Sequence, residues 1–319
     1  MDSKVFDNKN ILIVGGTGFI GQSLVRAIDS DSAKVTVLSR QTNIYRGLLR
    51  SKKTKITSIK GDVADLRLIK RLVKGKDVIL NFAGGGKLES MEDPFSDLKT
   101  TCIGSLNILY ACKKYNQKCK IIFSGSRMEL GRVIKTPVKE DIVPDPTSFY
   151  GIHRYAVSQY VKLYHEFYGL RAIVLRFSSI YGPRFSKNVG NVTIVNDFIN
   201  KAQRNEEILV YGDGSQLRDF LYIDDALRAI LNTVKYKKAD GEIFNIGSGE
   251  KTRFIDMANM VVKIVGKGRV KTVPWSKKYL QIEAGDYVAD YTKARKLIKW
   301  GPRLSLKDGI KKTISLSKV

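Results

Sequence analysis

Short apolar runs at 11–14, 35–38, 56–59, 78–82, 121–123 and 172–175 alternate with longer segments whose apolar residues recur every three or four positions. Brief apolar runs bounded by polar turns are the pattern of strands buried on both faces, and the longer segments that of helices lying across them. Phe19, Ile20, Leu24, Val25 and Ile28 make one helical stripe, and 95–115 and 150–168 make two longer ones. Strands regularly separated by helices predict an α/β fold built on a doubly wound parallel sheet. Beyond Arg176 the pattern becomes irregular, with turns at Tyr181-Gly182-Pro183, Tyr211-Gly212-Asp213-Gly214 and Val273-Pro274-Trp275. The chain is therefore expected to divide into a first domain over 1–176 and a smaller, partly discontinuous α/β lobe over 177–319. The helical 223–234 and strand-like 242–246, inside the stretch near 220–247, are expected to return to the first sheet.

Composition narrows the class without choosing a function. The chain has 319 residues, 43% apolar and 27% charged, which is ordinary globular composition. No uninterrupted apolar run reaches the length of a membrane span, and the charged opening lacks the apolar core of a leader, so a cytoplasmic protein is expected. Cys102, Cys112 and Cys119 have no C-x-x-C spacing and read as reduced thiols. With only His153 and His165 besides, no metal site is expected. Fifty-six basic against 31 acidic residues give a formal charge of +25. The basic residues are scattered, without interleaved exposed aromatics, which argues for solvation and steering of anions over a nucleic-acid surface.

The candidate chemistry begins where the first apolar run breaks into glycines. Gly15, Gly18 and Gly21 follow a strand pattern and open a helix pattern, with Thr17, Phe19 and Ile20 between them. Such a turn lets backbone N–H groups approach a pyrophosphate at the positive end of a helix, the arrangement of a Rossmann-type dinucleotide site. After the second run stand Ser39 and Arg40, where a carboxylate normally receives the adenosine ribose of NAD. A guanidinium there suits a 2′-phosphate, so NADP is favoured, with NAD possible. Ser126, Tyr150 and Arg154 form a second constellation. A tyrosine exchanges a proton beside a hydride transfer when a neighbouring cation favours its phenolate. A spacing of four places Tyr150 and Arg154 on one helix face, and Ser126 ends a strand-like run where it can hold a reacting oxygen.

These residues recur in an order that resembles the extended short-chain dehydrogenase/reductases of the NAD(P)-dependent epimerase/dehydratase family. The similarity runs from Ile11 to about the last helix. Besides the glycine turn, the matching segments are Gly61-Asp62-Val63, Ser124-Gly125-Ser126 ahead of Gly131, Tyr150-Gly151-Ile152-His153-Arg154 and Tyr181-Gly182-Pro183-Arg184. Further matches are Arg218-Asp219-Phe220 within the segment that begins at Tyr211, Ala289-Asp290-Tyr291, and Trp300-Gly301-Pro302. The resemblance implies that Asp62 and Val63 flank the adenine and that Phe82, Ala83 and Gly84 line the cofactor cleft. It implies that Ser126 and Tyr150 are catalytic, and that Ser126, Arg127, Ser179 and Arg218 meet the substrate, with Arg218 gripping a diphosphate. Four positions depart from the family pattern. Arg154 stands for lysine, Thr101 for an asparagine of the long helix, Ser179 for the asparagine before Tyr-Gly-Pro, and Glu283 for an arginine.

The resemblance further implies hydride transfer on a nucleoside diphosphate sugar, at C4, with Tyr150 as acid and base. Dehydration is disfavoured, because Ser126 is followed by Arg127 and Met128 where dehydratases carry an acidic pair. A 4-keto reductase and a C4 epimerase both remain open, and the alternative is a non-catalytic, nucleotide-bound sensor or scaffold of the same fold. A homodimer is expected from the resemblance and from aromatic residues such as Tyr160, Tyr164 and Phe167 in the 150–168 helix.

Overall fold

A computed structural model describes residues 3–41, 54–184 and 193–317. Seven strands form one parallel sheet: β1 Asn10–Val14, β2 Lys34–Ser39, β3 Lys55–Lys60, β4 Val78–Asn81, β5 Lys120–Ser126, β6 Arg171–Phe177 and, far later in the chain, β11 Ile243–Ile246. The spatial order is β11-β6-β5-β4-β1-β2-β3. β1 therefore lies between β2 and β4, and the connections leave it towards opposite edges. That reversal opens a crevice at the carboxyl end of β1.

The apolar runs became strands because both sheet faces are covered. Successive side chains alternate sides, so Leu12 and Val14 meet one helical layer while Ile11 and Ile13 meet the other. On the first side Ile79, Ile121 and Val174 join Leu12 in a buried cluster with Ile69, Ile108, Val157 and Val161. On the second, Val35, Leu80 and Ile173 join Ile11 with Leu24, Val25, Leu227 and Ile230. Burying one such aliphatic side chain contributes about 1.5–3 kcal/mol. β3 is the exception: it lies at the edge with Lys55 and Lys60 exposed, and edge lysines discourage further pairing.

The remaining strands make three two-stranded pairs. β7 (Ser179–Tyr181) runs parallel to β10 (Phe220–Tyr222), β8 (Glu207–Tyr211) parallel to β13 (Arg269–Val273), and β9 (Leu217–Arg218) antiparallel to β12 (Thr252–Arg253). The helix Ile223–Lys235 packs back on the main sheet and leads to β11, which pairs with β6 from Ile243↔Val174 to Ile246↔Phe177. The predicted single helix over 95–115 is broken into Pro94–Asp97, a widened section Leu98–Ile103, and Gly104–Tyr115. The Gly104 N–H donates to the carbonyl of Lys99, five residues back. Such widened turns recur at functional sites.

Candidate active site

At the carboxyl end of β1 the chain turns through Gly15, whose φ of +74° is left-handed and whose added Cβ would lie 2.6 Å from the Ala83 nitrogen. Only glycine fits there without strain. A Cβ on Gly21 would lie 2.5 Å from the Gly16 Cα, so the glycine turn is packed tightly against its own helix. That helix, Phe19–Ala27, starts after Gly18 with no side-chain cap, which leaves its first N–H groups available to an anion.

Two adjoining cavities run along this edge. One of about 340 Å³ is lined by Gly15, Thr17, Ser39, Asp62, Val63 and Ala83. The other, of about 640 Å³, is lined by Phe19, Ile20, Gly21, Ser126, Tyr150 and Arg154. Gly18, Arg40, Phe82 and Gly84 border both, so they form one elongated cleft. A glycine floor and an uncapped helix terminus midway along it fit a dinucleotide. At the end nearer β2, Arg40 is exposed, while Ser39 is buried with its hydroxyl donating to the Gln41 carbonyl.

At the opposite end, Ser126 closes β5 and Tyr150 lies in the first turn of Phe149–Tyr168, a helix capped by Ser148 through the Gly151 N–H at 3.2 Å. The Arg154 guanidinium lies 5.2 Å from the Tyr150 ring centre. Its Nη1 donates to the Ser124 carbonyl at 2.7 Å, while Nε is buried without a partner. Gly84, at φ +156°, lies directly against this guanidinium, and any Cβ there would overlap Nη2. Ser126 accepts the Met128 N–H on its hydroxyl oxygen at 3.2 Å, which leaves its proton free to donate. Its own N–H donates to Glu129 at 2.8 Å.

A buried network beneath Arg154 was missed in the sequence. Asp97 accepts from the Thr101 hydroxyl at 2.8 Å, from the Gly85 N–H at 3.1 Å, and pairs with His153 Nδ1 at 2.7 Å. The spacing of four between Asp97 and Thr101 was the available signal, but His153 gave no sequence hint of its partner.

Three expected substrate residues, Arg127, Ser179 and Arg218, do not line the larger cavity. For Ser179 the reason is strand alternation: Ser178 and Ile180 border the cavity, and the side chain between them takes the other face. Arg218 donates to the carboxylate of Glu283 and to the carbonyls of Leu217 and Gly285. Glu283, one of the departures from the family pattern, thus pairs with the very arginine expected to hold a diphosphate. Lys87, another residue not singled out in the sequence, donates to the Ile282 carbonyl at 3.0 Å. The three cysteines are buried and free. Among the described residues no acidic, histidine and cysteine side chains converge as metal ligands, and no helix is long and apolar enough to cross a membrane.

The family model described as "NAD dependent epimerase/dehydratase family" matches residues 11–247. The chain belongs to this family. It is accordingly an enzyme of the short-chain dehydrogenase/reductase type. Among curated members of the family, a putative UDP-glucose 4-epimerase of Methanocaldococcus jannaschii is 30% identical over 97% of this chain and 98% of its own. Among solved members, a UDP-glucose 4-epimerase of Thermotoga maritima with UDP-glucose is 30% identical, with a TM-score of 0.85 over 97% of this chain and 98% of its own. A UDP-glucuronic acid 4-epimerase of Bacillus cereus in complex with UDP-glucuronic acid and NAD is 25% identical, with a TM-score of 0.82 over 97% and 99%.

Proposed function

We propose that the protein is a C4 epimerase of a nucleoside diphosphate hexose, with the smaller cavity taking the adenine end of a nicotinamide dinucleotide and the larger one the nicotinamide and sugar. The observation that carries this reading is the joint presence of Ser126, Tyr150 and Arg154 on the larger cavity. The bound dinucleotide would supply a reversible two-electron acceptor. Ser126 would hold the C4 oxygen through its free proton, and the Tyr150 hydroxyl would take and return the proton of that oxygen. Arg154, its guanidinium 5.2 Å from the Tyr150 ring centre, would position the nicotinamide ribose beside that ring. The similarity to 4-epimerases supports this chemistry.

A second reading, a 4-keto reductase, is favoured by Arg40 beside Ser39, which suits the 2′-phosphate of NADP(H). The NAD of the Bacillus cereus relative supports NAD instead. One experiment separates these readings. The protein is incubated with UDP-hexoses and NAD or NADP, and separately with a UDP-4-keto-hexose and NADPH, while epimeric product and nicotinamide absorbance are followed. Interconversion of C4 epimers without net change in absorbance is expected. Stoichiometric oxidation of NADPH by a 4-keto sugar would identify a reductase, and absence of both would sink the proposal. Under the second reading NADP binds more tightly than NAD, and Arg40→Ala erodes that preference.

A homodimer belongs to the same proposal. The helices Gly104–Tyr115 and Phe149–Tyr168 pack together; Tyr110, Ile152, Leu163 and Phe167 on them, and Ile103 and Phe95 before them, are exposed, Phe95 at 78%. Tyr160 and Tyr164, expected in the interface, lie partly against the core instead. We read these exposed apolar side chains as the contact surface of the dimer. Sizing by light scattering should give twice the 35.8 kDa chain mass, and Phe167→Glu should shift it to monomer.

A further inference from the structure

Asp97 is buried and borders the larger cavity from the turn just before the widened section Leu98–Ile103. Its carboxylate joins three separate elements. Oδ1 accepts the Gly85 N–H at 3.1 Å and the Thr101 hydroxyl at 2.8 Å, and Oδ2 pairs with His153 Nδ1 at 2.7 Å. Gly85 follows Gly84, against which the Arg154 guanidinium lies, and His153 precedes Arg154 on its helix. Thr101 closes the same contact, because a Cβ added to Gly84 would lie 3.1 Å from its hydroxyl oxygen as well as against Arg154 Nη2. The Cys102 thiol donates to the His153 carbonyl at 3.5 Å, which fastens the widened section to the same helix turn. Arg154 itself is weakly anchored. Among the described residues its hydrogen bonds all go to Ser124, from the single nitrogen Nη1, and Nε is buried without a partner. A guanidinium bonded through one nitrogen can swing about that point, so its placement depends on the backbone it leans on and the helix it leaves. Asp97 is bonded to both.

We propose that Asp97 is a positioning residue for the reaction: by tying the Gly84-Gly85 wall to the His153 turn, it fixes the width of the slot that Arg154 occupies and so sets where the guanidinium meets the nicotinamide ribose. This rests on the placement of the nicotinamide end proposed above. Position matters at such a site, where a displacement of about 1 Å costs roughly 10²-fold in rate. The tie needs polar atoms on both sides of one short side chain. A carboxamide of the same shape accepts the Gly85 and Thr101 bonds on its oxygen and donates from its nitrogen to an unprotonated His153 Nδ1. Leucine fills a similar volume and makes none of the three bonds.

The test is a double-variant cycle on cofactor affinity, read by fluorescence titration of the full chain with NADH and with NADPH. Asp97→Leu is expected to weaken binding by about 10-fold, within the range of coupling inside one hydrogen-bonded network, and Asp97→Asn to keep most of the affinity. In an Arg154→Ala background, Asp97→Leu should weaken binding by less than about 2-fold, because the group it positions is gone. Thr101→Val removes one bond at constant volume and should cost about 3-fold, again only while Arg154 is present; it carries the test if Asp97→Leu does not fold. Losses that multiply independently in the double variants overturn the proposal, as does full affinity in Asp97→Leu. Unchanged binding in Arg154→Ala alone overturns the placement of the nicotinamide end, and the proposal with it.

Discussion

Tyr150→Phe should lower turnover by about 10²–10⁴-fold, the usual contribution of a positioned acid and base, while cofactor affinity changes little. The substitution removes one hydroxyl from the rim of the larger cavity and leaves the ring that packs 5.2 Å from the Arg154 guanidinium. Arg154→Ala should act on both quantities. It removes the cation beside the tyrosine and the bond to the Ser124 carbonyl, so turnover falls and cofactor affinity weakens by about 10–100-fold. Arg154→Lys keeps a cation there and should retain substantial activity. Fluorescence titration of the cofactor alongside steady-state kinetics separates the two effects. Undiminished turnover in Tyr150→Phe would falsify the assigned chemistry and favour a nucleotide-binding scaffold.

Glu129→Ala should be the most damaging change to stability, by about 3–5 kcal/mol. Its carboxylate is inaccessible to solvent and pairs with Arg176 Nε at 2.7 Å. It also accepts the Ser158 hydroxyl at 2.6 Å and the Ser126 N–H at 2.8 Å. Truncating it leaves a buried guanidinium without its counter-charge, which costs far more than a surface pair. A double variant, Glu129→Leu with Arg176→Met, should recover most of the loss, because it removes both charges and refills the volume. Denaturant unfolding of the single and double variants measures this, and a single variant within 1 kcal/mol of the parent, on the order of a surface substitution, would contradict it. Because Ser126 loses its anchor too, activity should remain depressed after stability is recovered.

The parallel sheet was legible because buried strands write themselves as short apolar runs, and the glycine turn because a tight approach to a pyrophosphate demands it. Ser39 and Arg40 follow the second strand directly, Tyr150 and Arg154 share a helix face four residues apart, and all four border the cleft. What escaped reading depends on contacts between distant segments. Lys87 meets Ile282 across 195 residues, and Arg218 meets Glu283 across 65. Neither pairing leaves a local pattern. Ser179 lies outside the cavity lining for a different reason: on a strand, a one-position difference reverses the face, and motif position does not specify which face meets the cavity. The widened turn at Leu98–Ile103 escaped because its five-residue backbone bond is not written in any one side chain.

The contact between Gly84 and Arg154 ties the two positions together. The guanidinium occupies the space that a Cβ at position 84 would take, so a Gly84→Ala variant has to displace the cation that stands beside the Tyr150 ring. A single added methyl group at position 84 thus acts on the reacting end of the cleft only through the placement of Arg154.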